Sequence, residues 1–419
     1  MLNNLPIELL EKIFNFCEPP TLSKISMVCS RFNNVVFDIL TKKSEHLLVT
    51  NMKSEKFSER CKPFLSSYNS KFIIHYNWIK GRCKISKIYE IEQKRFIEHI
   101  TSNKCLQMTK NTIWFCENRN LLAFNREKNG TIKKDKMIVG INDAFITSIA
   151  HCNDYTISGD VFGIIKHWRI ESEKDKKIES KNNKRIYLKQ SKIYQIDDTI
   201  DFINATSQHI IISSNNSIKI LKYTDDKEGC TEENKIFCEN DKSYVQSISF
   251  DPIGTKFAAS STDYCQFSSF LIYDIDKSYQ VIDKKCDDYC CQLLWEDPHT
   301  ILMCFQCSIK KIDLRTSEFV RTWDSFNYAP LTCCSSDNLY TFVTGSYTGV
   351  LWDQRQSVAI QTYTVEHGIT LYNKGIDSLE FDNAHMYTAT CNGLYELDFT
   401  GKNSFSDEGT GSESAEELD

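Results

Sequence analysis

Apolar residues recur at two different spacings, and the change between them divides the chain. Near the N-terminus they come every three to four positions. Leu9, Leu10, Ile13, Phe14 and Cys17 form one helical stripe, and Leu22, Ile25, Val28, Cys29 and Phe32 form a second. Pro6 suits the first position of the first helix, where its missing N–H costs nothing. Glu18-Pro19-Pro20 is expected to break that helix, and Thr21 to cap the next. From Asp38 to Gly81 the chain is polar with scattered apolar residues. Phe37, Ile39, Leu40, Leu47 and Leu48 are placed to continue helical packing behind the first two helices.

From Cys83 to Phe399 the pattern becomes short alternating runs of Ile, Val, Phe, Tyr and Thr, separated by Asn, Asp, Gly and Ser turns. Stacking these runs reveals seven similar three-strand units, spaced roughly 40–55 residues apart. Their third strands end at Phe124, Trp168, Leu221, Asp274, Asp313, Asp353 and Asp398. The fourth unit is the clearest: Val245 to Pro252, then Phe257 to Ser261, then Leu271 to Asp274. Trp352-Asp353 is a literal Trp-Asp ending, with Tyr273-Asp274, Ile312-Asp313 and Leu397-Asp398 as near variants. Gly-His dipeptides are absent, so the repeats are degenerate. The segment after Phe399 is polar and offers no further strand. Residues Ile85 to Ile91 are therefore expected to complete the seventh unit and close a ring, removing exposed edges. A two-sheet sandwich would match the strand content but not the seven similar units.

The residues themselves narrow the reading. Leu5-Pro6-Ile7-Glu8-Leu9-Leu10, Ile13-Phe14, Pro19, Leu22 and Val28-Cys29-Ser30-Arg31-Phe32 closely resemble the F-box in order and spacing, with Phe32 where tryptophan is more usual. That resemblance implies a three-helix module docking on the Skp adaptor, with Leu5, Pro6, Leu9, Leu10, Ile13 and Phe14 facing it, and Val28 and Cys29 nearby or in the module core. Tyr76-Asn77-Trp78-Ile79-Lys80-Gly81 looks like the segment leading into the propeller of F-box/WD-repeat proteins, a family the chain resembles along nearly its whole length. The Asn77-Trp78 to Arg82-Cys83 stretch looks most like its dactylin branch. The expected fold is mainly β: a seven-bladed WD-repeat β-propeller preceded by a small all-α F-box. The expected division is residues 1–40 F-box, 41–82 a partly helical connector, 83–400 propeller and 401–419 an acidic disordered tail.

Composition adds little that is specific. The 419 residues are 41% hydrophobic, enough for a sizeable core, and the net charge of −6 points to neither nucleic acid nor membrane. No apolar run approaches the ~18 residues of a spanning helix. The first six residues lack the basic stretch of a signal peptide. The eighteen cysteines are therefore expected as reduced thiols of a cytoplasmic or nuclear protein.

Candidate chemistry is sparse. Cys304-Phe305-Gln306-Cys307 has metal-site spacing, but no second pair or histidine pair accompanies it. Cys290-Cys291 and Cys333-Cys334 are strand neighbours whose side chains point to opposite faces. The nine histidines form no zinc-protease spacing, and no phosphate-binding glycine loop or nucleophile elbow is present. No cofactor or metal is expected. The lysine-rich stretch Glu171 to Lys192 reads as a solvated loop, and Ser406 and Ser412 beside acids are candidate phosphorylation sites.

The leading expectation is thus a non-catalytic substrate receptor of a cullin-RING ubiquitin ligase, ahead of a propeller scaffold tethered to the Skp adaptor for another purpose. An enzyme in the propeller channel comes third. Phosphate-reading relatives carry arginines at first-strand starts and second-to-third-strand turns, where a guanidinium pairs with phosphate oxygens. The matching positions here are Thr147, Asp201, Gln246, Gln292, Thr332 and Asp377, and Asp160, Asn215, Asp263, Tyr347 and Asn392. None is arginine. Asp160, Asp201, Gln246, Asp263, Tyr347 and Asp377 are the candidate target-binding residues, expected to receive an unmodified or basic segment.

Overall fold

A computed structural model describes residues 5–44, 46–62, 68–91, 105–152, 154–170, 186–214, 217–223, 230–237, 244–262, 268–286, 288–325, 330–365 and 375–401. Asn215, Asp263, Ser406 and Ser412 lie outside these residues, as does nearly all of the proposed tail.

Five helices precede the first strand: α1 (Ile7–Asn15), α2 (Pro19–Ser26), α3 (Ser30–Ser44), α4 (Glu55–Ser58) and α5 (Tyr68–Lys80). Pro19 and Pro20 open α2 rather than ending α1, with Glu18 at the cap position expected for Thr21. The first-turn N–H groups have no helical partner, so proline is tolerated there. Leu10, Phe14, Leu22, Phe32, Val35, Val36, Ile39, Leu40 and Leu47 build one small core, and Phe72 of α5 joins it. Phe14 and Phe32 meet edge to face at 5.3 Å. Leu48 instead packs with the seventh blade, and Phe37 stays on the surface.

The rest is a closed ring of seven antiparallel sheets. The innermost strands are Leu106–Met108, Ile146–Cys152, Phe202–Ala205, Tyr244–Phe250, Cys290–Asp297, Cys333–Ser336 and Ile376–Phe381, and each contacts the next. The last contacts the first, so the ring has no open edge between blades. Lys84–Glu90, here β1, pairs antiparallel with Gly393–Asp398 and supplies the outer strand of the seventh blade, with Ile85 opposite Leu397. The closing strand is the one the sequence pattern indicates.

The large residues of the third strands fill the gaps between blades, and hydroxyls on the second strands satisfy their polar atoms. Trp168 Nε1 donates to Ser158 Oγ at 2.8 Å, and Ser158 donates to Asn142 Oδ1 at 3.1 Å. Trp352 Nε1 donates to Thr344 Oγ1 at 3.0 Å. Small second-strand residues leave room for the indole, and their hydroxyls prevent an unpaired buried N–H.

The lysine-rich stretch needs correction where it is described. Lys189–Gln195 is the outer strand of the second blade, and Ile186–Tyr187 adds a short parallel strand to the first. An outer strand has one solvated face, so lysine is at home there.

An aromatic cluster joins α5 to the propeller. Trp78 near the end of α5 is fully buried and stacks on Phe399 at 3.7 Å, with Tyr363 and Phe381 edge-on. Asn77 Nδ2 donates to Phe399 O at 2.8 Å, and Tyr363 OH donates to Trp78 O at 2.7 Å. Gly81, at φ +66°, turns the chain out of α5 into β1, a conformation that costs glycine little. Among the described residues no helix is long and apolar enough to cross a membrane.

Candidate protein-docking faces

The first helix carries two apolar stripes, not one. Successive helical residues lie about 100° apart, so the neighbours Leu9 and Leu10, and Ile13 and Phe14, cannot share a face. Leu10 and Phe14 are 0% and 3% exposed and belong to the module core. They were expected on the docking face, and the structure places them inside it. Leu9 and Ile13 are exposed, and Phe16, 92% exposed, extends their line at the same helical spacing. Pro6 is exposed, and Leu5 is half-buried with its carbonyl accepting from Arg31 Nη2 at 2.5 Å. Ile7, Met27 and Val28 are also exposed. Ile7, Phe16 and Met27 escaped the sequence reading, although Leu9, Ile13 and Phe16 follow an i, i+4, i+7 spacing that could have flagged the last.

The propeller has two mouths, and the chain itself covers part of one. Residues 49–62 cross the end where first strands turn into second strands. Val49 N donates to Thr341 Oγ1 at 3.0 Å, and Lys56 Nζ to Trp295 O at 3.4 Å. Arg60 pairs with Glu380 at 2.8 Å, donates to Ser335 Oγ at 3.3 Å and to Ser336 O, and lies over the Phe57 and Phe381 rings. Lys62 Nζ donates to Asn111 Oδ1 at 2.8 Å. These contacts span the fifth, sixth, seventh and first blades.

The described candidate target-binding residues lie at the opposite mouth, and they do not act alike. Asp201 and Tyr347 are exposed and Asp377 is half-buried. Asp160 is wholly buried: its Oδ1 accepts from Phe162 N at 3.0 Å and Ile164 N at 2.9 Å and so builds the turn. Gln246 is buried, its Oε1 accepting from Tyr289 OH. Asp160 and Gln246 are therefore corrected from contact residues to supports. Gln292 Oε1 accepts from Cys334 N at 2.7 Å, and Thr332 donates to Gly345 O at 3.1 Å, so both also serve the ring. The sequence reading missed Phe162, exposed beside Asp160, and the carboxylates of Asp143 and Asp197 on the inter-blade connections.

Among the described residues the cysteines form no site. Cys304 is buried and Cys307 is exposed, so the pair does not face one ligand. Cys291, Cys304 and Cys334 pack between the fifth and sixth blades. Burial pushes the thiols of Cys290 and Cys333 up, which keeps them protonated and unreactive. Among the described residues no group of three metal-ligating side chains occurs.

Residues 2–43 match the F-box domain family. No curated protein matches the chain. Among solved structures, the chain is similar to Raptor of Chaetomium thermophilum, with a TM-score of 0.54 and 14% identity over 68% of this chain and 27% of that one. A chain of the mitotic checkpoint complex gives a TM-score of 0.57 and 11% identity over 75% of this chain and 92% of that one. At such identities the likeness shows the fold alone, and this chain spans about a quarter of the Raptor chain. With an F-box domain at residues 2–43 and a seven-bladed propeller behind it, the chain has the architecture of an F-box/WD-type protein.

Proposed function

We propose that this chain is the substrate-recognition subunit of an SCF-type cullin-RING ubiquitin ligase. The F-box binds the Skp adaptor, the propeller holds a protein target, and the chain contributes proximity rather than bond chemistry. Within the F-box/WD-type proteins we place it nearest the dactylin branch, on the Asn77-Trp78 to Arg82-Cys83 stretch. The observation that carries the reading is the outward line Leu9, Ile13 and Phe16 on a helix whose other stripe already fills the module core. A second apolar stripe left in water marks an interaction face, and it lies within the residues that match the F-box family. Each large side chain buried there would contribute roughly 1.5–3 kcal/mol.

Leu9→Asp with Ile13→Asp is expected to abolish co-purification with the Skp adaptor while the propeller keeps its melting temperature, because neither residue supports the core. Adaptor binding by the double variant would remove the basis of the reading.

The target side of the proposal rests on the mouth that residues 49–62 leave open. Asp143, Asp197, Asp201 and Asp377 lie at that end with the rings of Phe162 and Tyr347. Three of its described cations are engaged: Lys166 pairs with Asp143 at 2.7 Å, Lys219 lies 3.9 Å from Asp198, and the Arg119 guanidinium lies over the Phe145 ring at 5.6 Å. Such a rim favours an unmodified or basic segment over a phosphorylated one. Matched target peptides with and without phosphate are expected to bind equally, or the phosphorylated form more weakly. A phosphorylated form bound tenfold tighter, about 1.4 kcal/mol, would overturn this part.

A further inference from the structure

The seam that closes the ring, between the seventh and first blades, contains a buried charged cluster. Arg126 ends the third strand of the first blade (Asn120–Arg126). It donates Nη2 to Asp382 Oδ2, and Nη1 to the carbonyls of Arg60 at 2.8 Å and Thr109 at 2.9 Å. Asp382 follows the innermost strand of the seventh blade, and its Oδ1 accepts from Ala384 N at 2.8 Å and His385 N at 2.7 Å. His385 opens the next strand and is fully buried. Its Nδ1 lies 3.5 Å from Asp382 Oδ1, and its Nε2 lies 3.6 Å from Asp398 Oδ1.

A neutral imidazole has one donor nitrogen and one acceptor nitrogen. An ionised carboxylate only accepts. A neutral His385 would therefore aim a lone pair at one of the two carboxylates, with the His385 and Asp382 side chains 0% exposed and Asp398 only 17%. An imidazolium presents an N–H and a positive charge to both at ion-pair distance. The charges then match: Arg126 against Asp382, and His385 against Asp398. Five other groups face the cluster, two of them from the segment that crosses the mouth: burial pushes the Cys61 thiol up and the Lys62 ammonium down, and both lie in the field of Arg126 and Asp382. Glu396 lies on the strand that ends at Asp398, where burial raises its pKa and favours the uncharged acid. Tyr387 stacks on the His385 ring at 6.1 Å and donates its hydroxyl to Gly130 O at 2.7 Å. Lys84 of β1 is paired in register with Asp398 at the solvent edge.

We propose that His385 is a doubly protonated bridge between Asp382 and Asp398, and that losing its proton loosens the seventh-to-first blade seam. The seam is thus a latch held by a proton. Because Arg126 grips both Asp382 and the Arg60 carbonyl, a loosened seam also loosens residues 49–62 from their mouth of the propeller. Burial acts to lower the His385 pKa, but Asp382, with Asp398 beside it, outweighs burial and holds it above 6.5. A raised folded value means the stabilisation is complete below the ordinary histidine pKa and is lost as pH rises through the folded one.

The test uses the full chain with histidine nitrogens labelled for NMR, beside melting curves at each pH. At neutral pH one buried histidine should show both ring nitrogens protonated and should titrate above 6.5. Its signal should vanish in His385→Gln, and that variant should lose the alkaline fall in melting temperature seen in the wild type. Should His385→Gln fail to fold, Asp398→Asn keeps the Arg126–Asp382 pair and is expected to lower that titration midpoint by about one unit or more. A neutral single-tautomer ring at pH 7, a midpoint at or below 6.5, or a midpoint unmoved by Asp398→Asn would overturn the proposal.

Discussion

Trp78→Ala is expected to destabilise the chain by about 3–5 kcal/mol, the range for deleting a large aromatic from a packed core. Trp78 sits at the centre of the joint. Its indole lies flat on Phe399 and edge-on to Tyr363 and Phe381. Phe399 follows the last strand of the seventh blade, so the cavity would open where α5 meets the end of that blade. The flanking bonds of Asn77 Nδ2 to Phe399 O and Tyr363 OH to Trp78 O hold the backbones in place, which limits collapse into the void. Denaturant unfolding should show a lower midpoint, and limited proteolysis should show earlier cleavage between α5 and β1. Trp78→Phe keeps a ring on Phe399 and should recover much of the loss. A Trp78→Ala chain as stable as wild type would mean that the helices are not anchored through this residue.

Arg126→Met should cost a similar amount, about 3–5 kcal/mol, for an electrostatic reason. Both side chains of the Arg126–Asp382 pair are 0% exposed, and removing one partner leaves a buried charge without compensation. Arg126 holds Asp382 well below the usual carboxylate range, against the upward push of burial. Asp382 therefore stabilises the fold above the ordinary aspartate pKa, and that contribution is lost as pH falls towards its folded value. The double variant Arg126→Met with Asp382→Asn keeps an amide oxygen for the backbone N–H groups of Ala384 and His385 but removes the orphan charge. It should be more stable than Arg126→Met alone by denaturant unfolding. A double variant that is worse than the single would show that hydrogen bonds from Arg126 to the Arg60 and Thr109 carbonyls matter more than the charge pairing.

The fold was legible because both periodicities are strong and local. Alternation with turn residues defines a strand, and seven similar strand sets with one unmatched strand upstream imply a closed ring. The exposed stripe of α1 was only half legible. In Leu9-Leu10 and Ile13-Phe14, apolarity is the same at both positions, so composition does not say which member faces the core. That is settled by α2 and α3, which cover Leu10 and Phe14. The propeller rim shows a similar limit. Counting along degenerate repeats gathers these positions at one end of the blades, but does not say which side chains the turns consume, as with Asp160. The first half of Lys189–Gln195, up to Lys192, read as part of a loop because an outer strand with a solvated face tolerates lysines that blur its alternation. The seam cluster was not legible at all: Arg126, Asp382, His385 and Asp398 acquire meaning only when ring closure brings the first and seventh blades together.

The most direct test of the central claim is quantitative recovery of the Skp adaptor and its cullin on the full chain, set against the Leu9→Asp/Ile13→Asp variant. The account predicts that wild type retains both in near-equal amounts, and that the resulting assembly transfers ubiquitin to a protein held by the propeller. It predicts that the variant, with its propeller folded, loses adaptor, cullin and transfer together. Recovery of the adaptor without cullin or transfer would contradict the receptor reading and leave a tethered scaffold in its place.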